Sequence, residues 1–120
     1  MDRKTYDALQ ASIAHWRLNA GANSPFPVNI YGDDCALCAL HFDADAMEPC
    51  DGCPVSLAVE QQCCVGTPWK RVRDALLDWR AMPLVDHYRD RFRIEAKSML
   101  QFLQALVPAG GTDDGEAPSA

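Results

Sequence analysis

Six cysteines dominate the chemistry that this sequence could do. All of them lie between residues 35 and 64 of a 120-residue chain. They form two C-x2-C pairs and one adjacent pair: Cys35, Cys38, Cys50, Cys53, Cys63 and Cys64. Thiolates bind metals, form disulfides or act as redox groups, so the spacing and the surrounding sequence must decide between these chemistries.

The two C-x2-C pairs favour a structural zinc site. Zinc takes four ligands at tetrahedral corners with Zn–S distances near ~2.3 Å, and a two-residue gap lets one turn aim both sulfurs at one ion. Gly52, within Cys-Asp-Gly-Cys, suits such a turn because glycine adopts a positive φ without strain. We therefore expect Zn2+ as a structural cofactor. Its first-ranked ligands are Cys35, Cys38, Cys50 and Cys53.

Cys64 competes with these four cysteines for a place at the metal. It stands just before Gly-Thr-Pro-Trp, which is a helix start signal, and the N–H groups and dipole of a helix N-terminus favour a thiolate. Cys64 could replace Cys35 or Cys50 as a ligand, or support the site from outside the ligand shell.

Other uses of the cysteines remain open alternatives. A disulfide framework could use all six cysteines, but it suits secreted proteins. An iron–sulfur cluster also takes four thiolates. A C-x2-C redox site would normally begin a helix within a βαβ pattern, and the sequence has no such pattern.

No catalytic machinery is evident in the sequence. His41 followed by Pro49-Cys50-Asp51-Gly52-Cys53 partly matches the H-x-E…P-C-x-x-C signature of zinc deaminases, but Asp43 replaces the essential Glu and the spacing is short. A closed four-thiolate site also leaves zinc no open coordination position. We therefore expect that the chain is not an enzyme. His41 is expected to be a solvated loop residue, with metal ligation as the alternative. His15 is expected to be a surface histidine, with packing against the cysteine-rich segment or contact with a partner as the alternatives.

Three helices are predicted to carry the cysteine-rich segment. Apolar residues recur at helical spacing over residues 3–19, 68–81 and 84–107, and each set forms one stripe. Thr67-Pro68 starts the second helix, as an N-cap hydroxyl followed by proline at the first helical position. The predicted fold is mainly α, with an irregular zinc-stabilised insertion between the first two helices and at most a brief edge strand near residues 25–32.

Charge is divided unevenly along the chain. The net charge is −6. Residues 21–66 contain seven acidic residues and no Lys or Arg, whereas residues 67–97 contain eight basic residues against five acidic ones. The acidic segment could face a basic protein partner or imitate nucleic acid, and the basic helices could bind phosphates.

The length and composition predict one folded domain, over residues 1–107, followed by a disordered tail over 108–120. No apolar run is long enough for a membrane span, and the N-terminus lacks the apolar region of a secretory signal. We therefore expect a cytoplasmic protein that does not contact membranes. The long stripe of the last helix would suit a homo-oligomer as well as a core.

Several short motifs follow one another in order along the chain. They are His15-Trp16, CALC at 35–38, CDGCPV at 50–55, C-x-GTPW at 64–69 and a C-terminal FLQAL-like run. This ordered set, over roughly residues 13–107, resembles a group of small cysteine-rich proteins of phage and prophage genomes. The resemblance implies a phage-type accessory protein, with a cytosolic location in the bacterial host. It also implies a metal role for Cys64, because the group carries a cysteine there, and none for Cys63.

These features together favour a non-enzymatic, zinc-stabilised module that binds another protein. The partner would be a protein of the host or of the phage. One form of this role would be inhibition of a host defence or regulatory factor. The alternative is a small zinc-containing regulator that binds nucleic acid through the basic face of the last two helices. That face carries Arg71, Arg73, Arg80, Arg89, Arg91 and Arg93.

Overall fold

A computed structural model describes residues 1–30, 36–41, 47, 52–59, 64 and 66–111. Within these ranges the chain is mainly helical and contains no β-strand. The helices are α1 (Arg3–Ala20), α2 (Ala36–His41), α3 (Pro54–Val59), α4 (Trp69–Ala81) and α5 (Asp86–Ala105).

Helix α1 follows the predicted stripe and buries it. Tyr6, Leu9, Ile13 and Trp16 are all buried. The helix begins after Asp2, whose carboxylate accepts a hydrogen bond from the Thr5 backbone N–H at 2.8 Å and so satisfies one of the unpaired donors of the first turn. The predicted span of 3–19 is confirmed to within one residue.

Helices α4 and α5 form the second part of the core. Pro83 lies in the turn between them, where the Val85 N–H donates to the Met82 carbonyl at 3.2 Å. The Trp79 and Phe92 rings pack with centroids 5.4 Å apart. Both helices are shorter than predicted: α4 begins at Trp69 instead of residue 68, and α5 covers 86–105 instead of 84–107.

Helix α5 contacts both α1 and α4, so it lies at the centre of the packing. The central residues of its stripe, Phe92, Ala96, Met99 and Leu103, are at most 3% exposed. Val85, Tyr88 and Leu106, at the ends of the predicted stripe, are half-buried.

The prediction of three helices is wrong, because the described residues contain five. The two additional helices, α2 and α3, are six residues each and lie in the segment that the sequence predicted to be irregular. Helices of this length are marginal on their own and depend on tertiary packing. Leu37 of α2 and Val55 of α3 supply that packing, since both are buried in the common core.

The segment that follows α1, residues 21–30, has no regular structure, and side chains from three helices bond its backbone carbonyls. His15 Nε2 donates to the Asn29 carbonyl at 2.6 Å, and Trp69 Nε1 donates to that of Ile30 at 2.7 Å. Arg80 binds two further carbonyls of the segment and Arg93 binds a third. These hydrogen bonds satisfy backbone carbonyl groups that regular secondary structure would otherwise pair.

His15 is therefore a structural residue and not the surface histidine that the sequence suggested. Its ring is half-buried, and its bond to Asn29 fixes the segment against α1. The Asn19 side chain donates to the same carbonyl at 3.4 Å. At the other end of the chain, residues 108–111 form a turn, and the rest of the predicted tail lies outside the described residues.

Candidate metal centre

Helix α2 carries two metal-binding residue types one turn apart. Cys38 and His41 are three residues apart in the helix, a spacing that places two side chains on one face. Both side chains are half-buried, whereas Leu37, which packs α2 against the core, is only 2% exposed. Packing of α2 on α1 thus fixes where this face lies.

The second cysteine turn lies beside α3. Gly52 has a φ of 81°, which confirms the positive φ expected of the Cys-Asp-Gly-Cys turn. Cys53 is only 8% exposed, and its carbonyl accepts the Leu57 N–H at 3.0 Å in the first turn of α3. Pro54 begins that helix, at a position where its missing N–H has no cost.

His41 lies between α1 and the Gly52 turn. Its Nε2 is 3.1 Å from the Thr5 hydroxyl, which is on α1 and 5% exposed. Its Nδ1 is 3.3 Å from the position that a Cβ on Gly52 would occupy. The expectation of a solvated loop histidine is therefore wrong: the residue ends a helix and its ring contacts two separate parts of the chain.

Asp2 extends this contact to the start of α1. The hydrogen bond from the Thr5 backbone N–H holds the pKa of the Asp2 carboxyl below its usual value of 3.8, and a hydrogen bond from the Thr5 side chain and the charge of His41 act in the same direction. Asp2, Thr5 and His41 therefore connect the N-cap of α1 to the cysteine-rich segment.

Cys64 lies in the turn that leads into α4. Its carbonyl accepts two hydrogen bonds from Thr67, one from the hydroxyl at 2.7 Å and one from the backbone N–H at 3.3 Å. The Thr67 hydroxyl in turn accepts the Trp69 N–H at 3.1 Å, as expected of a capping residue, although the N-cap position is Pro68, one residue later than predicted. Gly66, with a φ of 84°, makes this turn possible.

The structure describes three of the five predicted ligands, namely Cys38, Cys53 and Cys64, and Cys35 and Cys50 lie outside the described residues. In the described ranges, no three or more His, Cys, Asp or Glu side chains are grouped closely enough to hold a metal ion. The described donor groups are the thiols of these three cysteines and the imidazole of His41, whose Nε2 contacts the Thr5 hydroxyl. Thiolate and imidazole are ligand types that zinc prefers. The described residues thus provide suitable donors on a packed scaffold, without a complete ligand set among them.

Sequence reasoning missed the placement of His41. The signal that could have found it is spacing, since His41 follows Cys38 by the same three-residue step that separates Cys38 from Cys35. A helix over this stretch brings such steps onto one face.

The basic face predicted for nucleic-acid binding is occupied by contacts within the chain. Four of its arginines lie within 4 Å of carboxylates: Arg71 with Glu95, Arg73 with Asp74, Arg89 with Asp86 and Asp90, and Arg91 with Asp78. The other two, Arg80 and Arg93, bond backbone carbonyls of residues 22–28. The last two therefore have a structural role.

Comparison of the chain with protein-family models, with curated proteins and with solved structures finds no match. Among the described helices, none combines the length and apolar character that crossing a membrane requires.

Proposed function

We propose that this chain is a non-enzymatic, zinc-stabilised accessory protein of phage type that acts by binding another protein. The observation that carries the proposal is the attachment of the described cysteine-bearing elements to the helical core. Cys38 lies on α2, Cys53 immediately precedes α3 and Cys64 precedes α4, and all three elements contribute buried residues to one core or pack against it.

Zinc would give this segment the stability that its short helices cannot supply. Structural zinc contributes an apparent binding free energy of about 10–16 kcal/mol in zinc-finger peptides, and this energy is available for folding. One ion held by Cys38, Cys53 and further cysteines of the segment would connect α2 and α3. The proposed ligands remain Cys35, Cys38, Cys50 and Cys53, with Cys64 as the alternative ligand.

The proposed partner is a protein with a basic surface. Seven acidic residues and no Lys or Arg occur in residues 21–66, and all seven acidic residues lie outside the described residues. The single charge sign of this segment in the sequence is what supports the proposed partner. A host defence or regulatory factor that itself binds nucleic acid has such a basic surface. The resemblance to phage proteins supports this class of target, and the proposed location is the cytoplasm of the bacterial host.

Affinity capture from a lysate of the bacterial host tests this function. The zinc-loaded protein should recover a partner that a variant with Asp43→Asn, Asp45→Asn and Glu48→Gln does not, because the variant reduces the negative charge without changing the cysteines. Equal recovery by both proteins, or no recovery by either, would contradict the proposal.

The alternative of a zinc-containing nucleic-acid-binding regulator has less support. Its arginines face carboxylates or backbone carbonyls of the same chain, so phosphate would have to displace these contacts. Titration of duplex DNA at low and high salt separates the two functions. Binding that weakens steeply with salt would favour the regulator over the protein-binding module.

A further inference from the structure

We propose that α2 and α3 form a conformational switch, which opens when the cysteines carry neither a metal nor a disulfide while the rest of the fold stays intact. The part that stays folded consists of α1, residues 21–30, α4 and α5, and we refer to it as the helical frame. The inference holds whichever link, zinc or disulfide, joins the cysteines, so it does not rest on the proposed zinc-binding role.

The helical frame is held together by contacts among its own elements. Helix α5 packs extensively on both α1 and α4, and its Phe92 is fully buried. Residues 21–30 are bonded by His15 of α1, Arg80 of α4 and Arg93 of α5. All of these contacts begin and end within the frame, so they remain when α2 and α3 leave.

Helices α2 and α3 are attached to the frame by far fewer contacts. Among the described helices, α2 packs extensively on α1 alone and α3 on none. Each of the two helices buries one branched aliphatic side chain, Leu37 or Val55, and leaves a leucine outside the core, since Leu40 is 41% and Leu57 is 66% exposed. Six residues are too few for a stable isolated helix, and one buried side chain in each does not offset the conformational entropy lost by ordering it.

The face of α1 that contacts α2 can be exposed to water at little cost. Thr5 contacts His41 of α2 through its hydroxyl, and Ser12 lies two turns further along the same face of α1. Both residues are buried in the closed fold. Their hydroxyl groups can form hydrogen bonds with water when α2 leaves, whereas an apolar face would lose its burial without compensation.

Hydrogen exchange of the full-length protein, followed by mass spectrometry, tests this inference. With a reductant and a chelator present, peptides from α2 and α3 should exchange at the rate of an unfolded chain, whereas those from α4 and α5 should stay protected by at least about 100-fold. Without these reagents, the α2 and α3 peptides should also be protected.

Three outcomes of this experiment would overturn the inference. They are protection of α2 and α3 in the treated protein, loss of protection in α4 and α5 on treatment, and absence of protection in α2 and α3 before treatment. Zinc content is measured separately on the same sample. Absence of zinc would contradict the proposed zinc-binding role and leave the switch intact.

A pair of leucine substitutions gives a second test in the treated protein. Leu37 of α2 and Leu76 of α4 are 2% and 0% exposed, so burial alone predicts similar effects. Leu76→Ala should shift the urea unfolding equilibrium constant by at least about 30-fold, the effect of a cavity in a packed core. Leu37→Ala should shift it by less than about threefold, as at an exposed site, because α2 is already open. A larger shift for Leu37→Ala would show that α2 remains packed and would overturn the inference.

Discussion

Replacing Arg80 tests whether the arginines of the last two helices stabilise the fold or bind phosphate. Its Nε donates to the Pro25 carbonyl at 3.1 Å and its Nη2 to the Val28 carbonyl at 2.6 Å. Arg80→Ala removes both bonds, and the half-buried segment loses two of the contacts that replace regular secondary structure. We expect this variant to lower the free energy of unfolding.

The size of the effect follows from the number and type of the bonds. A hydrogen bond that involves a charged group contributes about 1.5–3 kcal/mol net when it is removed from a folded protein. Because Arg80 is half-buried, solvent weakens both bonds, and we expect a total of about 2 kcal/mol. For a chain of this size that loss corresponds to a fall in Tm of about 8 °C.

Urea unfolding of the zinc-saturated protein, followed by circular dichroism at 222 nm, measures the loss. Arg71→Ala is the matched control, since Arg71 is 61% exposed and pairs with Glu95 on the surface, where such a pair contributes below about 1 kcal/mol. Arg80→Lys keeps the charge but not the forked donor geometry, and should lie between wild type and Arg80→Ala.

The reasoning about Arg80 would be refuted by one specific pattern. The result would be a free energy of unfolding for Arg80→Ala within about 0.5 kcal/mol of that for Arg71→Ala. The bonds to the Pro25 and Val28 carbonyls would then contribute no more to stability than an exposed ion pair does. A loss of DNA binding in Arg80→Ala without a loss of stability would instead favour the regulator.

Three further predictions address the turn, the core and the helix cap. Gly52→Ala should destabilise the fold by about 1–2 kcal/mol, because its positive φ is unfavourable for alanine and the added Cβ would contact His41; Gly110→Ala, which has no atom within 4 Å of its Cβ position, should be near neutral in the same urea titration. Phe92→Ala should cost about 3–5 kcal/mol by creating a cavity beside Trp79, and an effect no larger than that of the exposed Ile94→Ala would contradict the packing described. The pKa of the Asp2 carboxyl, measured by NMR, should lie below 3.8. Because folding lowers this pKa, the contribution of Asp2 to stability is present above pH 3.8 and is lost as the pH falls through the folded-state pKa. A pKa at or above 3.8 would show that Thr5 does not bind the carboxylate.

The long helices were predictable from the sequence because their apolar residues repeat over several turns. Leu9 and Ile13 in α1, or Phe92 and Met99 in α5, lie on one face at a spacing that only a helix satisfies, and all are buried. Gly52 was predictable for a similar local reason, since a C-x2-C turn requires a positive φ that glycine provides.

The remaining structure depends on contacts between residues far apart in sequence. Helices α2 and α3 are too short to show a periodic pattern, and they depend on the burial of Leu37 and Val55 against other helices. The Arg80 bonds join residues 52 and 55 positions apart, and nothing in the local sequence distinguishes this arginine from its neighbours. The contact between Thr5 and His41 is of the same kind.

Metal analysis of the purified full-length protein, combined with counting of reactive thiols before and after a strong chelator, tests the central claim most directly. The account predicts one zinc ion per chain and a rise of four reactive thiols when the chelator removes it. A protein that contains no zinc, and whose thiols are all unreactive until a reductant is added, would contradict the account and establish a disulfide framework instead.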